Sequence, residues 1–150
     1  MINLEAAKRH LIESDSILAQ VIAQVGDPQM NRETDAWRAL TSSIIGQQVS
    51  VHAARAIRNR FAAIESESES ERDFPSPQFV TDASDESLRA VGLSRNKVLS
   101  IRDLARHISE DLISFENFDS MSEEEIVAAL IPIRGIGRWT AEMLDRKSVV

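Results

Sequence analysis

The chain has 150 residues, 43% of them hydrophobic, with no cysteine, three histidines and a net charge of −7. That length supports one domain with its own core. The missing cysteine excludes disulfides, thiolate nucleophiles and a cysteine-ligated iron-sulfur cluster, and His10, His52 and His107 fall at no metal-ligand spacing.

No apolar run is long enough to cross a bilayer, and 1-MINLEAAKRHLIESD-15 lacks the basic-then-apolar order of a secretory signal. The expected location is cytoplasmic, nucleoid-associated if the source is bacterial. The acidic total hides segregation. Residues 65–73 carry five acids against one base and 110–125 carry seven acids and no base, whereas 89–107 carries five bases against Asp103 alone, and 126–150 four bases against two acids. A basic face is compatible with the acidic sum.

Apolar residues recur three and four apart and no run alternates with period two, which predicts an all-α fold. Leu4, Ala7 and Leu11 form a first short face. Ser14 and Asp15 can cap the next helix, whose stripe of Leu18, Val21, Ile22 and Val25 ends at Gly26 and Pro28. A third helix is predicted from about Thr34 to Ile45 and a fourth from Val51 to Ile64, with 46-GQQVS-50 between them. The stretch 65-ESESESERDFPSPQ-78 is low in complexity, self-repelling and closed by prolines, and reads as a flexible acidic loop inside one domain spanning 1–150.

Beyond it, 84-SDESLRAVG-92 predicts a short capped helix. Ser94 can cap another that carries Val98, Ile101, Leu104, Ala105 and Ile108 on one side. Ser122 and Glu125 form a capping box ahead of Ile126 and Leu130. That helix is expected to end at Ile133, turn through Gly135, Ile136 and Gly137, and restart at Arg138. Two glycines allow left-handed angles and close approach. Amides of the turn and of the following helix start can then face an anion-sized space, with Ile136 plugged inward. Such a corner suits one backbone phosphate, or a monovalent cation bridging to it. The plainer alternative is an ordinary turn between antiparallel helices.

Three segments in this order, 42-SSIIGQQVSVHAARAI-57, 92-GLSRNKVLSIRDLA-105 and 133-IRGIGRWTAEML-144, resemble the alkylation-repair branch of the helix-hairpin-helix DNA glycosylases. The likeness runs from near residue 4 to about residue 144, acidic loop excepted. It implies the amino-terminal portion of that fold, with the hairpin at 122–144, and base-excision repair of double-stranded DNA by hydrolysis of the N-glycosidic bond of 3-methyladenine and related alkylpurines. It further implies a monomer with no cofactor. By position Arg134, Gly135, Ile136, Gly137, Arg138 and Thr140 would be the DNA-binding hairpin. Gln48, with Gln47 and Ser50 beside it, would be the wedge that fills the gap left by an extruded nucleotide; as residues, all three could equally cap the next helix.

Trp139 stands where glycosylases that also nick the strand carry an amine nucleophile, so no Schiff base can form there and hydrolysis alone is implied. Its indole suits a positively charged alkylpurine through stacking and cation-π attraction, unless it is an ordinary core aromatic. The family's catalytic aspartate matches no position here. Glu142 and Asp145 read as helix charges, so the catalytic aspartate and the carboxy-terminal helices are expected beyond residue 150. The ending 145-DRKSVV-150 departs from the pattern, as a truncated frame would. This chain by itself would then be an inactive fragment, or a non-catalytic DNA-binding module, with Leu11, Leu18 and Ile22 left exposed.

Overall fold

The computed structural model describes residues 4–27, 35–65 and 74–145, and among these every regular element is a helix. Helices α1 (Leu4–Ser14) and α2 (Ser16–Val25) pack on each other. The hinge is Asp15, whose carboxylate accepts the amides of Ile17 and Leu18 at 2.7 and 3.1 Å. Ser14 has no part in that cap; its hydroxyl donates to the His10 carbonyl at 2.6 Å. Neither helix has a buried residue. Leu11 and Leu18 are 43% and 40% exposed and Ile22 is half-buried, so the apolar stripe foreseen for this pair is only partly covered.

The core lies between α3 (Ala36–Gly46), α4 (Val51–Ala62), α7 (Arg95–Ser109), α8 (Glu123–Leu130) and α9 (Arg138–Asp145). Helix α7 is the post. It buries Val98, Ile101, Leu104 and Ala105, and α3, α5 (Pro77–Asp82) and α6 (Asp85–Ala90) all pack against it. These residues fall at spacings of three and four, which puts them on one face of a 3.6-residue helix. Its amino terminus is capped by Ser94, which accepts the Lys97 amide at 3.3 Å. The capping box at α8 forms as its spacing predicts: Ser122 accepts the Glu125 amide while the Glu125 carboxylate accepts the Ser122 amide at 2.8 Å. Those bonds hold the Glu125 carboxyl below its ordinary range.

The elements differ from expectation at several points, α4 among them, which ends at Ala62 and not at Ile64. Helix α8 stops at Leu130, three residues early, because Pro132 has no amide with which to continue the ladder. Residues 66–73 of the predicted acidic loop lie outside the described residues, but its two ends are tied down. Glu65 accepts the Ser76 amide at 2.9 Å, Phe74 meets Phe61 edge to face at 5.5 Å, and the buried Trp37 indole donates to the Pro75 carbonyl at 2.9 Å. Pro77 then opens α5 at a position where its missing amide costs nothing. Neither α5 nor the 3-10 helix Phe115–Ser120 has a periodic stripe long enough to announce it. Of the tail 145–150, Asp145 closes α9 and 146–150 lie outside the described residues.

The contrast between core and hairpin pair is measurable by urea denaturation. Phe61 is fully buried, and Phe61→Ala is expected to cost about 3–5 kcal/mol. Leu18→Ala, on the exposed α2 face, should stay within about 0.5 kcal/mol of the parent.

Candidate functional site

The segment between α8 and α9 is seated on α7 by contacts that leave it little freedom. Gly135 takes φ +79°, and a Cβ there would stand 2.5 Å from the Ser100 hydroxyl oxygen and 2.9 Å from its Cβ. Only a glycine brings the turn that close. One residue earlier, the Arg134 amide donates to the Asp103 carboxylate at 2.8 Å. Arg106 holds the same carboxylate at 3.0 Å and His107 lies 3.7 Å away. Burial pushes the Asp103 carboxyl up, but the Arg134 amide and these cations outweigh it and keep it below its ordinary range. From the other side, the Gln47 side-chain amide donates to the Gly135 carbonyl at 2.9 Å.

The turn then spends its residues unequally. Ile136 is 3% exposed and plugs into the core. Gly137 has no positive φ, and a Cβ there would meet nothing within 4 Å. Internal packing therefore does not require this second glycine; what it leaves open is the outer side of the bend. The amides of Gly135, Gly137 and Arg138 have no acceptor among the described residues, the first bond of α9 being from Ala141 to the Gly137 carbonyl at 3.0 Å. Free amides at a helix start are an anion-binding arrangement.

The side chains expected at the hairpin are more committed than their positions suggested. Arg134 reaches Asn96 at 3.5 Å, and Arg138 is paired with Glu142 at 2.7 Å. The Glu142 carboxylate offsets the charge of Arg138, whereas Arg134, among the described residues, meets only a neutral amide and keeps its charge. Thr140 is buried in the wall of a cavity rather than set on the outer surface of the bend. Gln47, named beside Gln48 for the wedge, has its side-chain amide tied to the hairpin. Ser50 is a helix cap, accepting the Ala53 amide at 3.2 Å.

Gln48 differs from both. It is exposed and sits at φ +57°, a conformation that L side chains adopt at a cost of roughly 1–2 kcal/mol. Just before it, α3 ends on Gly46, and Lys97 caps that end by donating to the Ile45 carbonyl at 2.7 Å. Partial burial lowers the Lys97 pKa from its ordinary value. A strained, projecting side chain on a braced turn is the form a wedge would take.

Trp139 is 70% exposed, which sets aside the reading of it as a core aromatic. It lines a cavity of about 250 Å³ together with Ala39, Leu40, Ser42 and Ser43 of α3, Arg58 of α4, and Thr140, Met143 and Leu144 of α9. No carboxylate of the described residues lines it. The Glu142 carboxylate is occupied by Arg138, as above. Sequence reasoning missed Arg58, Ser100, Lys97 and the bracing role of Asp103. For Arg58 a signal was present: residues 51–62 carry three arginines and no acid. Ser100 and Asp103 gave none, because their task is set by what packs on them.

Free amides at a two-glycine bend, seated on a helical core beside an exposed indole, define a helix-hairpin-helix protein. Residues 41–147 match the family described as HhH-GPD superfamily base excision DNA repair protein. The chain belongs to that family. It is 34% identical over 146 residues to DNA-3-methyladenine glycosylase 1 of Schizosaccharomyces pombe, covering 95% of this chain and 62% of that protein. The solved structure of the 3-methyladenine DNA glycosylase of that organism, in complex with abasic DNA, superposes with a TM-score of 0.79 at 34% identity, over 93% of this chain and 68% of the other. A DNA-3-methyladenine glycosidase from Bacillus halodurans gives 0.69 at 31%, over 91% and 61%. The chain thus spans less than two thirds of the length of the curated glycosylase it matches.

Two outcomes test the seat. Gly135→Ala should destabilise by about 2–4 kcal/mol, combining left-handed strain with the clash on Ser100, whereas Gly137→Ala should shift the urea midpoint little. Asp103 supplies a pH signature. A carboxyl whose pKa is lowered on folding contributes stability that is complete above its unfolded value near 4 and is lost as pH falls through the folded value. Asp103→Asn should therefore be less stable than the parent at pH 7, and the gap should close as denaturation is followed from pH 5 downward.

Proposed function

We propose that this chain grips duplex DNA and receives an extruded alkylpurine, as part of a monofunctional glycosylase of the DNA-3-methyladenine glycosylase II type. The observation that carries the reading is the adjacency of the free amides at Gly135, Gly137 and Arg138 to the exposed face of Trp139 over its cavity. The amides hold a backbone phosphate without reading any base, and a monovalent cation can serve as the bridge. Gln48 enters the gap in the stack. The indole takes the base, and a purine methylated at N3 or N7 carries the positive charge that an indole face attracts.

Hydrolysis then breaks the bond between sugar C1′ and the base nitrogen. The bonding electrons leave with the base, which departs neutral, and a water oxygen bonds to C1′ while its proton passes to solvent. With tryptophan at 139 there is no amine to form a Schiff base, so the strand is left uncut. The developing sugar cation calls for a carboxylate. None of the described residues lining the cavity supplies one, and the family resemblance implies an aspartate outside these residues. Double-stranded DNA bearing alkylated bases is the proposed partner, bound by a monomer in the cytoplasm or on the nucleoid.

The bare cavity supports a second reading for these 150 residues alone, a module that binds lesions without cleaving. Methylated duplex DNA distinguishes the two. Free 3-methyladenine released by the chain establishes catalysis. Salt-sensitive binding that prefers the methylated duplex, without release, establishes the module. Equal affinity for methylated and unmodified duplexes ends both. In whichever protein cleaves, Trp139→Ala should lower kcat/KM on methylated DNA roughly 10- to 100-fold with little change in thermal midpoint.

A further inference from the structure

Arg58 is half-buried on α4 and lines the Trp139 cavity. Several other guanidinium groups are spent on the fold: Arg60 on the Val91 carbonyl at 2.8 Å, Arg102 on Asp85 at 3.0 Å, Arg106 on Asp103 and Glu110, Arg138 on Glu142. Arg58 has no hydrogen bond or ion pair among the described residues. The polar neighbours it shares the cavity with are the hydroxyls of Ser42, Ser43 and Thr140, which carry no charge.

An unneutralised cation in this cavity conflicts with the chemistry of the proposed base. An alkylpurine cation stacked on Trp139 and a guanidinium on the same wall repel, and partial burial weakens the screening that would relieve them. The conflict disappears if an anion meets Arg58 when the base enters. Every extruded nucleotide brings one, since its own phosphodiester must follow the sugar out of the helix axis to the mouth of the pocket. A planar guanidinium with free donors is suited to two phosphate oxygens at once.

We infer that Arg58 binds the phosphate flanking the extruded nucleotide, a second strand grip separate from the hairpin amides and engaged only once the nucleotide has left the stack. This rests on the base-pocket reading above. It makes Arg58 a positioning residue that lets an electropositive pocket accept a positively charged base. Duplex that is still stacked presents no phosphate inside the cavity, so the contact distinguishes extruded from intact DNA by charge and geometry without touching the base.

Salt dependence reads this directly, because each neutralised phosphate adds about 0.9 to the slope of log affinity against log salt. The 150-residue chain is titrated with fluorescent duplexes that are undamaged or contain a tetrahydrofuran abasic analogue. Arg58→Met should lower the slope by about 0.9 on the abasic duplex and leave the undamaged duplex unchanged, while Arg58→Lys should keep most of the slope. Trp139→Ala should leave the abasic slope intact. An abasic slope unaltered in Arg58→Met overturns the proposal, as does an equal loss on both duplexes, which would make Arg58 a general contact. Parent protein that does not prefer the abasic duplex would defeat the pocket reading itself, and this inference with it.

Discussion

The functional surface depends on how the α8–α9 bend is held against α7. Ser100 and Gly135 approach so closely that no side chain fits between them, and Asp103 grips the next amide along. Gln47 ties the same glycine's carbonyl to the α3–α4 turn, and Lys97 ties the end of α3 back to α7. The three motifs, far apart in sequence, are thereby joined into one platform by individual hydrogen bonds. An amide can bind an anion well only if it need not be ordered at the moment of binding, and these bonds supply that order in advance.

The platform divides labour among residues that look equivalent in sequence. Of two adjacent glutamines, one is a strut and the other is left projecting from a strained backbone. Of two glycines, one is demanded by conformation and close packing, whereas the other leaves open space on the outside of the bend. Several arginines are consumed by carboxylates and carbonyls, whereas Arg58, without a hydrogen bond or ion pair among the described residues, lies beside the exposed indole. In each case the unspent donor or the open space marks where an outside molecule can bind.

Charge follows the same logic. A net charge of −7 says little about partners, because the acids cluster in 65–73 and 110–125, away from the motif segments. Among the described residues the cavity has hydroxyls, apolar groups and a cation, and no carboxylate. Such a lining suits stacking and hydrogen bonding.

Much of this was readable in one dimension. Helical periodicity, the caps at Asp15, Ser94 and Ser122, the Gly-Ile-Gly bend with Ile136 turned inward, and the absence of a lysine at 139 are local or compositional, so the sequence by itself determined them. What only the tertiary structure decided was which donors remain free. Whether Gln47 or Gln48 projects, whether Arg58 lies in a cavity without a partner, and whether Trp139 packs inward or stands open over that cavity depend on neighbours far away along the chain. No local propensity encodes such contacts, because they arise from packing helices whose order in space is fixed by the whole core.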